Sequence, residues 1–187
     1  MDKASLTKRI SKLIDVVITE YVHQAKYSLA IAPNSVNTLR MLCVWDEDSR
    51  HFFVARAFHR FGCHGSIVDN LAAGNGILVY VDPKTGIMLS EGVYNEWNKE
   101  EQMRKKIVHP DSKVVLSGYT IEGYQTMKTK LLEIADSISF LKYLGFDIAM
   151  TDDGFKILEI NSLTSLSTIQ QHQGFLQDKR IKRILKK

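Results

Sequence analysis

Cysteine is scarce, with only Cys43 and Cys63 in 187 residues. Two thiols build neither a disulfide framework nor a metal quartet, so a reducing cytoplasm is the expected compartment. No apolar run reaches membrane-spanning length, and MDKASLTKRISKLID at the start lacks the hydrophobic region of a signal peptide. Internal repeats and low-complexity linkers are missing. No glycine-bearing loop is followed by Gly-Lys-Ser/Thr, which excludes a Walker loop, and no Gly-x-Ser-x-Gly is present. The histidines at 23, 51, 59, 64, 109 and 172 show no paired metal spacing.

What is present is ordinary for a globular chain. Hydrophobic residues are 44% and charged residues 25%. The length suffices for one good core or two small lobes. A net charge of +4 suits an anionic substrate such as a nucleotide, and by itself does not point to nucleic acid.

Residues 5–15 place Leu6, Ile10, Leu13 and Ile14 at helical spacing, with Ser5 or Thr7 as caps. VVITEYV (16–22) is β-branched and predicts a strand. AKYSLAIAPNSVN reads as loop. TLRMLCVWD and RHFFVARAFHRFG predict two strands joined by a polar turn, and GILVYVD with TGIMLSEGVYN predicts a hairpin about residues 82–86. NKEEQMRKKIVHPDSK is charged and expected to be exposed. In residues 120–145, Met127, Leu131, Ile134, Ala135, Ile138 and Leu141 share one helix face, with Gly145 as the stop. A Ser/Thr-rich loop and a basic terminal helix close the chain. The layout is α+β: a mixed, largely antiparallel sheet with flanking helices.

DIAMTDDGFKILEIN (147–161) carries the chemistry. It predicts two strands joined by Asp152-Asp153-Gly154, with Gly154 free to take positive φ. That three-residue loop pairs Thr151 with Phe155 and sets Asp147 opposite Glu159. Glu159 and Asn161 then share a face with Asp147, while Leu158 and Ile160 face the core. Facing carboxylates repel unless a cation lies between them. Oxygen ligands of this kind suit magnesium. The competing reading is a hairpin whose polar face is simply solvated.

Elsewhere, Arg40 opens an apolar strand and would need an anion. Arg56 and Arg60 lie on the next strand, where Arg56 alternates with Val54 and Phe58. Guanidinium forks suit phosphate or carboxylate, and salt bridges to nearby acids are the alternative. Asp69-Asn70 precedes two glycines whose backbone amides could cradle an anion. The hydroxyls of LEINSLTSLST could serve a ligand or cap a loop.

The ordered set ITEYVHQ, NSVNTLR, RFGCHGSIVDNLAAGNGI, HP and LGFDIAMTDDGFKILEIN resembles the sugar-transfer-associated branch of the ATP-grasp superfamily over residues 16–162. The resemblance implies ATP and Mg2+ as cofactors. It implies Asp147 and Glu159 as magnesium ligands, Glu159 bridging two ions and Asn161 completing the second. ITEYV looks like the hinge that meets adenine, making Glu20, Tyr21 and Val22 cofactor-binding candidates beside Asp69 and Asn70. Arg40 stands as a candidate catalytic residue at phosphate or acyl phosphate, and Arg56, by its fork for phosphate or carboxylate, is the second catalytic candidate. Relatives carry a further lobe before the hinge, bearing nucleotide-binding lysines. Only residues 1–15 precede VVITEYV here, so a second chain supplying that lobe is one expectation, and a truncated or non-catalytic form are others.

The expected protein is one ATP-grasp-like unit over 1–187, with a leading helix (1–15), a core (16–162) and a C-terminal loop and helix (163–187). It would phosphorylate a carboxylate, of a small molecule or a sugar-linked substrate, and join it to an amine or other nucleophile, in polysaccharide or cell-surface biosynthesis. A non-catalytic nucleotide-binding module is the first rival. A metal-dependent nuclease is the second, and Asn161 stands where such an enzyme needs lysine.

Overall fold

The computed structural model describes residues 2–71, 76–94, 108–165, 170 and 172–184. Within the charged segment 98–113, residues 98–107 lie outside the described residues. In chain order the elements are helices α1 (Lys3–Ile10) and α2 (Lys26–Ile31); strands β1 (Leu39–Asp46), β2 (His51–Phe61), β3 (Ile77–Val81) and β4 (Met88–Tyr94); helix α3 (Tyr124–Ser137); strands β5 (Tyr143–Thr151) and β6 (Gly154–Asn161); a 3-10 turn (Phe175–Gln177); and α4 (Lys179–Ile184). The strands form one sheet in the order β4-β3-β2-β1-β5-β6, with every pairing antiparallel. The fold is α+β, as expected.

Alternation along β1 explains how the sheet acquires two buried faces. Leu39, Met41, Cys43 and Trp45 join a cluster with Phe61, Val79, Leu144, Phe146 and Ile148. Helix α3 covers that face with Tyr124, Met127, Leu131 and Ala135, and Ile134, Ile138 and Leu141 pack at its edge. Leu42 and Val44 point the other way, into a second cluster with Phe58, Leu78, Tyr80 and, from the C-terminal segment, Phe175 and Ile181. A central strand buried on both sides has room for few polar residues, and Arg40 on the second face is one of them.

Several expectations are corrected. Residues 16–22 form no strand: Val17 is 90% exposed, and no ladder joins them to the sheet. β-Branched composition favours a pleated surface only where a neighbouring strand and a core receive it. Residues read as loop before β1 contain α2. The α1 cap is Asp2, whose carboxylate accepts from the Ser5 backbone N–H at 2.9 Å, rather than Ser5 or Thr7. Helix α3 ends at Ser137, and Gly145 is an interior residue of β5. A Cβ at Gly145 would lie 1.8 Å from Thr164 Oγ1, so glycine lets the C-terminal loop approach the sheet.

The β5–β6 turn is also tighter than expected. Thr151 pairs with Gly154 and Met150 with Phe155, leaving Asp152-Asp153 as a two-residue turn. A register shift between Asp147 and Ile148 then restores Asp147 opposite Glu159. The bulge absorbs one extra residue on β6 and so compensates the shorter turn. Leu158 and Ile160 are 44% and 43% exposed, not core. β6 is an edge strand, with a neighbouring strand on one side only.

Candidate functional site

The site is built where β1, β2, β5 and β6 run side by side. Arg40 pairs in register with Asp147 of β5 and with Phe58 of β2. Asp147 pairs onward with Glu159, and Gly145 with Asn161. Directly paired residues, and residues two apart, share a face. Arg40, Asp147, Glu159 and Asn161 therefore stand on the second face of the sheet, the face away from α3. Arg60, two residues from Phe58 along β2, stands there too.

Asp147 is buried and fully engaged. Arg40 Nε and Nη2 both donate to it, the latter to Oδ2 at 2.6 Å. Arg60 Nη2 lies 3.2 Å from Asp147 Oδ1. The cation expected between facing carboxylates is thus supplied, at Asp147, by two guanidiniums. Arg60 also donates to Thr38 Oγ1 through Nε (2.9 Å) and Nη2 (2.5 Å). Thr38 in turn donates through its hydroxyl and its backbone N–H to Asp69 Oδ2, at 2.5 and 2.7 Å. Arg60 Nε is 3.6 Å from the same Asp69 oxygen. Burial pushes the Asp69 carboxyl above its usual range, against the opposing pull of Arg60 and the Thr38 hydrogen bonds.

The local sequence accounts for this placement. Asn37, buried just before β1, donates to Ala32 O at 2.8 Å and accepts from Gly62 N and Ser35 Oγ. Gln24 Oε1 accepts from the Asn37 backbone N–H and from Ser28 Oγ. NSVNTLR thus ties α2, the start of β1 and the end of β2 together, which fixes Thr38 and Arg40. On the C-terminal side, Thr164 is buried over Gly145, within 3.5 Å of Arg40 Nη1, and its carbonyl accepts from Tyr143 Oη at 3.0 Å.

The remaining candidates are dispersed. Arg56 turns to the C-terminal segment: Nη2 donates to Gly174 O at 3.2 Å, and its guanidinium lies 5.9 Å from the Phe175 ring centre. Partial burial lowers its pKa. Glu20 is exposed and pairs with Lys156 Nζ of β6 at 2.7 Å, which holds its carboxyl below the usual range. Tyr21 is exposed and Val22 half-buried. Asn70 is exposed beside buried Asp69. The sequence alone did not single out Thr38 or Thr164, and it left Arg60 between an anion contact and a salt bridge to nearby acids. Period-two counting from Arg56 and Phe58 carried the signal for Arg60.

The donor chemistry of the acid–acid–amide set suits magnesium. Asp147, Glu159 and Asn161 offer oxygen donors without imidazole or thiolate, which favours a hard cation. Among the described residues, no group of three or more His, Cys, Asp or Glu could hold a metal ion. The protein's share would be two carboxylates and an amide, leaving the rest of an octahedron to water and phosphate, as magnesium prefers.

A six-stranded antiparallel sheet with an acid on β5, ExN on the paired edge strand and arginines on the same face defines an ATP-grasp-like domain. The model of the sugar-transfer associated ATP-grasp family matches residues 4–185, and the chain belongs to that family. The family is one of ATP-dependent, ligase-type domains that generally bind ATP with Mg2+. No curated protein is similar enough to count as a relative. Among the described residues, no helix is long and apolar enough to cross a membrane.

Proposed function

We propose that this chain binds ATP with magnesium and activates a carboxylate as its acyl phosphate for capture by an amine or another nucleophile. The observation that carries this is one sheet face on which Asp147, Glu159 and Asn161 stand in register beside Arg40 and Arg60. A magnesium ion held there would offset charge on phosphate oxygens during transfer. Asp147 and Glu159 would hold it from two strands, with Asn161 completing the set. Arg40 and Arg60 would hold phosphate oxygens by charge-assisted hydrogen bonds. Glu20, Tyr21 and Val22 would meet the base or ribose. The exposed apolar side chains of Val16, Val17 and Ile18 support packing against a nucleotide-binding lobe, for which a second chain is one source. The family's link with sugar transfer supports a sugar-linked carboxylate and a role in polysaccharide or cell-surface biosynthesis.

The test is a screen of carboxylates with MgATP, hydroxylamine serving as the trapping nucleophile. The expected result is ADP release that depends on one carboxylate, with formation of its hydroxamate. Binding of MgATP with no ADP release across the screen would make the chain a nucleotide-binding module instead.

A further inference from the structure

Arg40, Arg60, Asp69 and Asp147 sum to zero charge, and their side chains are 8–16% exposed. Two cations and two anions are buried together, and each finds its opposite within the group. A phosphate oxygen reaching Arg40 meets a guanidinium whose Nε and Nη2 are both committed to Asp147. A divalent cation reaching Asp147 meets a carboxylate that already accepts from Arg40 and is ion-paired with Arg60. Breaking a buried ion pair from one side only leaves an uncompensated buried charge, which is strongly unfavourable.

We propose that the Arg40–Asp147 pair is a lock that makes divalent-cation binding and polyphosphate binding at this site mutually dependent. The inference rests on the magnesium–nucleotide reading of the site and adds its regulation. A cation that takes Asp147 leaves the Arg40 fork free for an anion. An anion that takes Arg40 leaves Asp147 paired with Arg60 at Oδ1 and opens its Oδ2 to the cation. The pair is opened once, by whichever ligand comes first, and the second ligand binds without opening it again. Such coupling is reciprocal. Arg60 does not exchange in the same way, because Thr38 and Asp69 hold it from the far side. The site keeps one fixed guanidinium while the other changes partner.

The experiment is titration calorimetry of the full chain with inorganic tripolyphosphate, in EDTA and in excess Mg2+, and with Mg2+ alone. Wild type is expected to bind tripolyphosphate roughly tenfold or more tightly with Mg2+ than without, a typical coupling size. Mg2+ alone is expected to give no binding heat. Asp147→Asn opens the lock from the acid side. It is expected to bind tripolyphosphate in EDTA roughly tenfold or more tightly than wild type, with no further gain from Mg2+. Arg40→Gln opens it from the other side and is expected to bind Mg2+ alone. Should Asp147→Asn not fold, the wild-type comparison and Arg40→Gln decide the matter. Equal tripolyphosphate affinity of wild type in EDTA and in Mg2+ overturns the lock, as does a folded Asp147→Asn no tighter than wild type in EDTA. If the lock falls while MgATP still binds, the nucleotide reading stands. Wild type binding neither tripolyphosphate nor ATP with Mg2+ removes that reading and the lock together.

Discussion

Arg40 and Asp147 are register partners on adjacent central strands, and their side chains form a two-pronged ion pair on the sheet face away from α3. The pair makes Arg40 a stabilising residue as well as a candidate for phosphate. Arg40→Lys keeps the charge but loses the planar fork. Losing one charge-assisted hydrogen bond is expected to lower unfolding free energy by about 1.5–3 kcal/mol, measured by urea unfolding in EDTA. MgATP affinity is expected to fall as well. A midpoint equal to wild type would show that the fork contributes no stability.

Glu159 lies across from Asp147 but is exposed on the edge strand. Glu159→Gln is nearly isosteric, so without ligand its stability is expected to stay within about 0.5 kcal/mol of wild type. With MgATP it should lose most of the ligand-induced stabilisation, which for wild type is about 2.7 kcal/mol at a hundredfold excess over Kd. Melting curves with and without MgATP measure both. Equal ligand-induced shifts for the two proteins would remove Glu159 as a magnesium ligand.

Gly145 and Thr164 test how closely the C-terminal loop packs on this face. Gly145→Ala puts a methyl group where Thr164 Oγ1 lies, so the loop must move outward. Overpacking of this kind is expected to cost about 1–3 kcal/mol. The double variant Gly145→Ala/Thr164→Gly should recover part of that loss, because the obstructing side chain is gone. Urea unfolding of the two variants gives the answer, and an additive double variant would mean that the two residues do not meet.

His59 governs an acid response on the opposite face. It is buried, stacked on Phe61 at 4.2 Å between ring centres, with Nε2 2.9 Å from Tyr27 Oη. Burial pushes its pKa down to about 3, so the folded protein keeps it neutral. The unfolded chain binds a proton near pH 6.5, while the folded chain does not. The contribution of His59 to stability is therefore full above that pH and falls as pH drops toward 3, by at most about 1.4 kcal/mol per pH unit. His59→Phe keeps the stack and removes the proton. It should flatten the pH dependence of unfolding free energy in that window, with a constant loss from the Tyr27 hydroxyl. A slope unchanged from wild type would show that His59 is protonated in the folded state.

How far the site was legible depends on the range of the interaction involved. Asp147 opposite Glu159 was reached through an incorrect turn length, because a bulge cancelled the error. A turn and a bulge each shift register by one residue, and only the sum is constrained by which face must be buried. Gly145 invited a helix stop, since glycine suits a C-cap and a close backbone approach equally. Its neighbour Thr164 is far along the chain, so nothing local distinguished the two.

Local pattern by itself determined the α+β class, the strands β1 to β4 (with a fifth, at 16–22, that does not form), the apolar face of α3 and the polar face of the final hairpin. Periods of two and 3.6 residues are properties of the backbone and need no knowledge of what packs above it. Only the tertiary structure decided that residues 16–22 stay outside the sheet, that β6 is an edge, and that Arg40 and Arg60 close on Asp147 and Asp69. Strand order sets which residues become neighbours across the ladders. The charge balance of a buried cluster follows from those neighbours, not from any spacing along the chain.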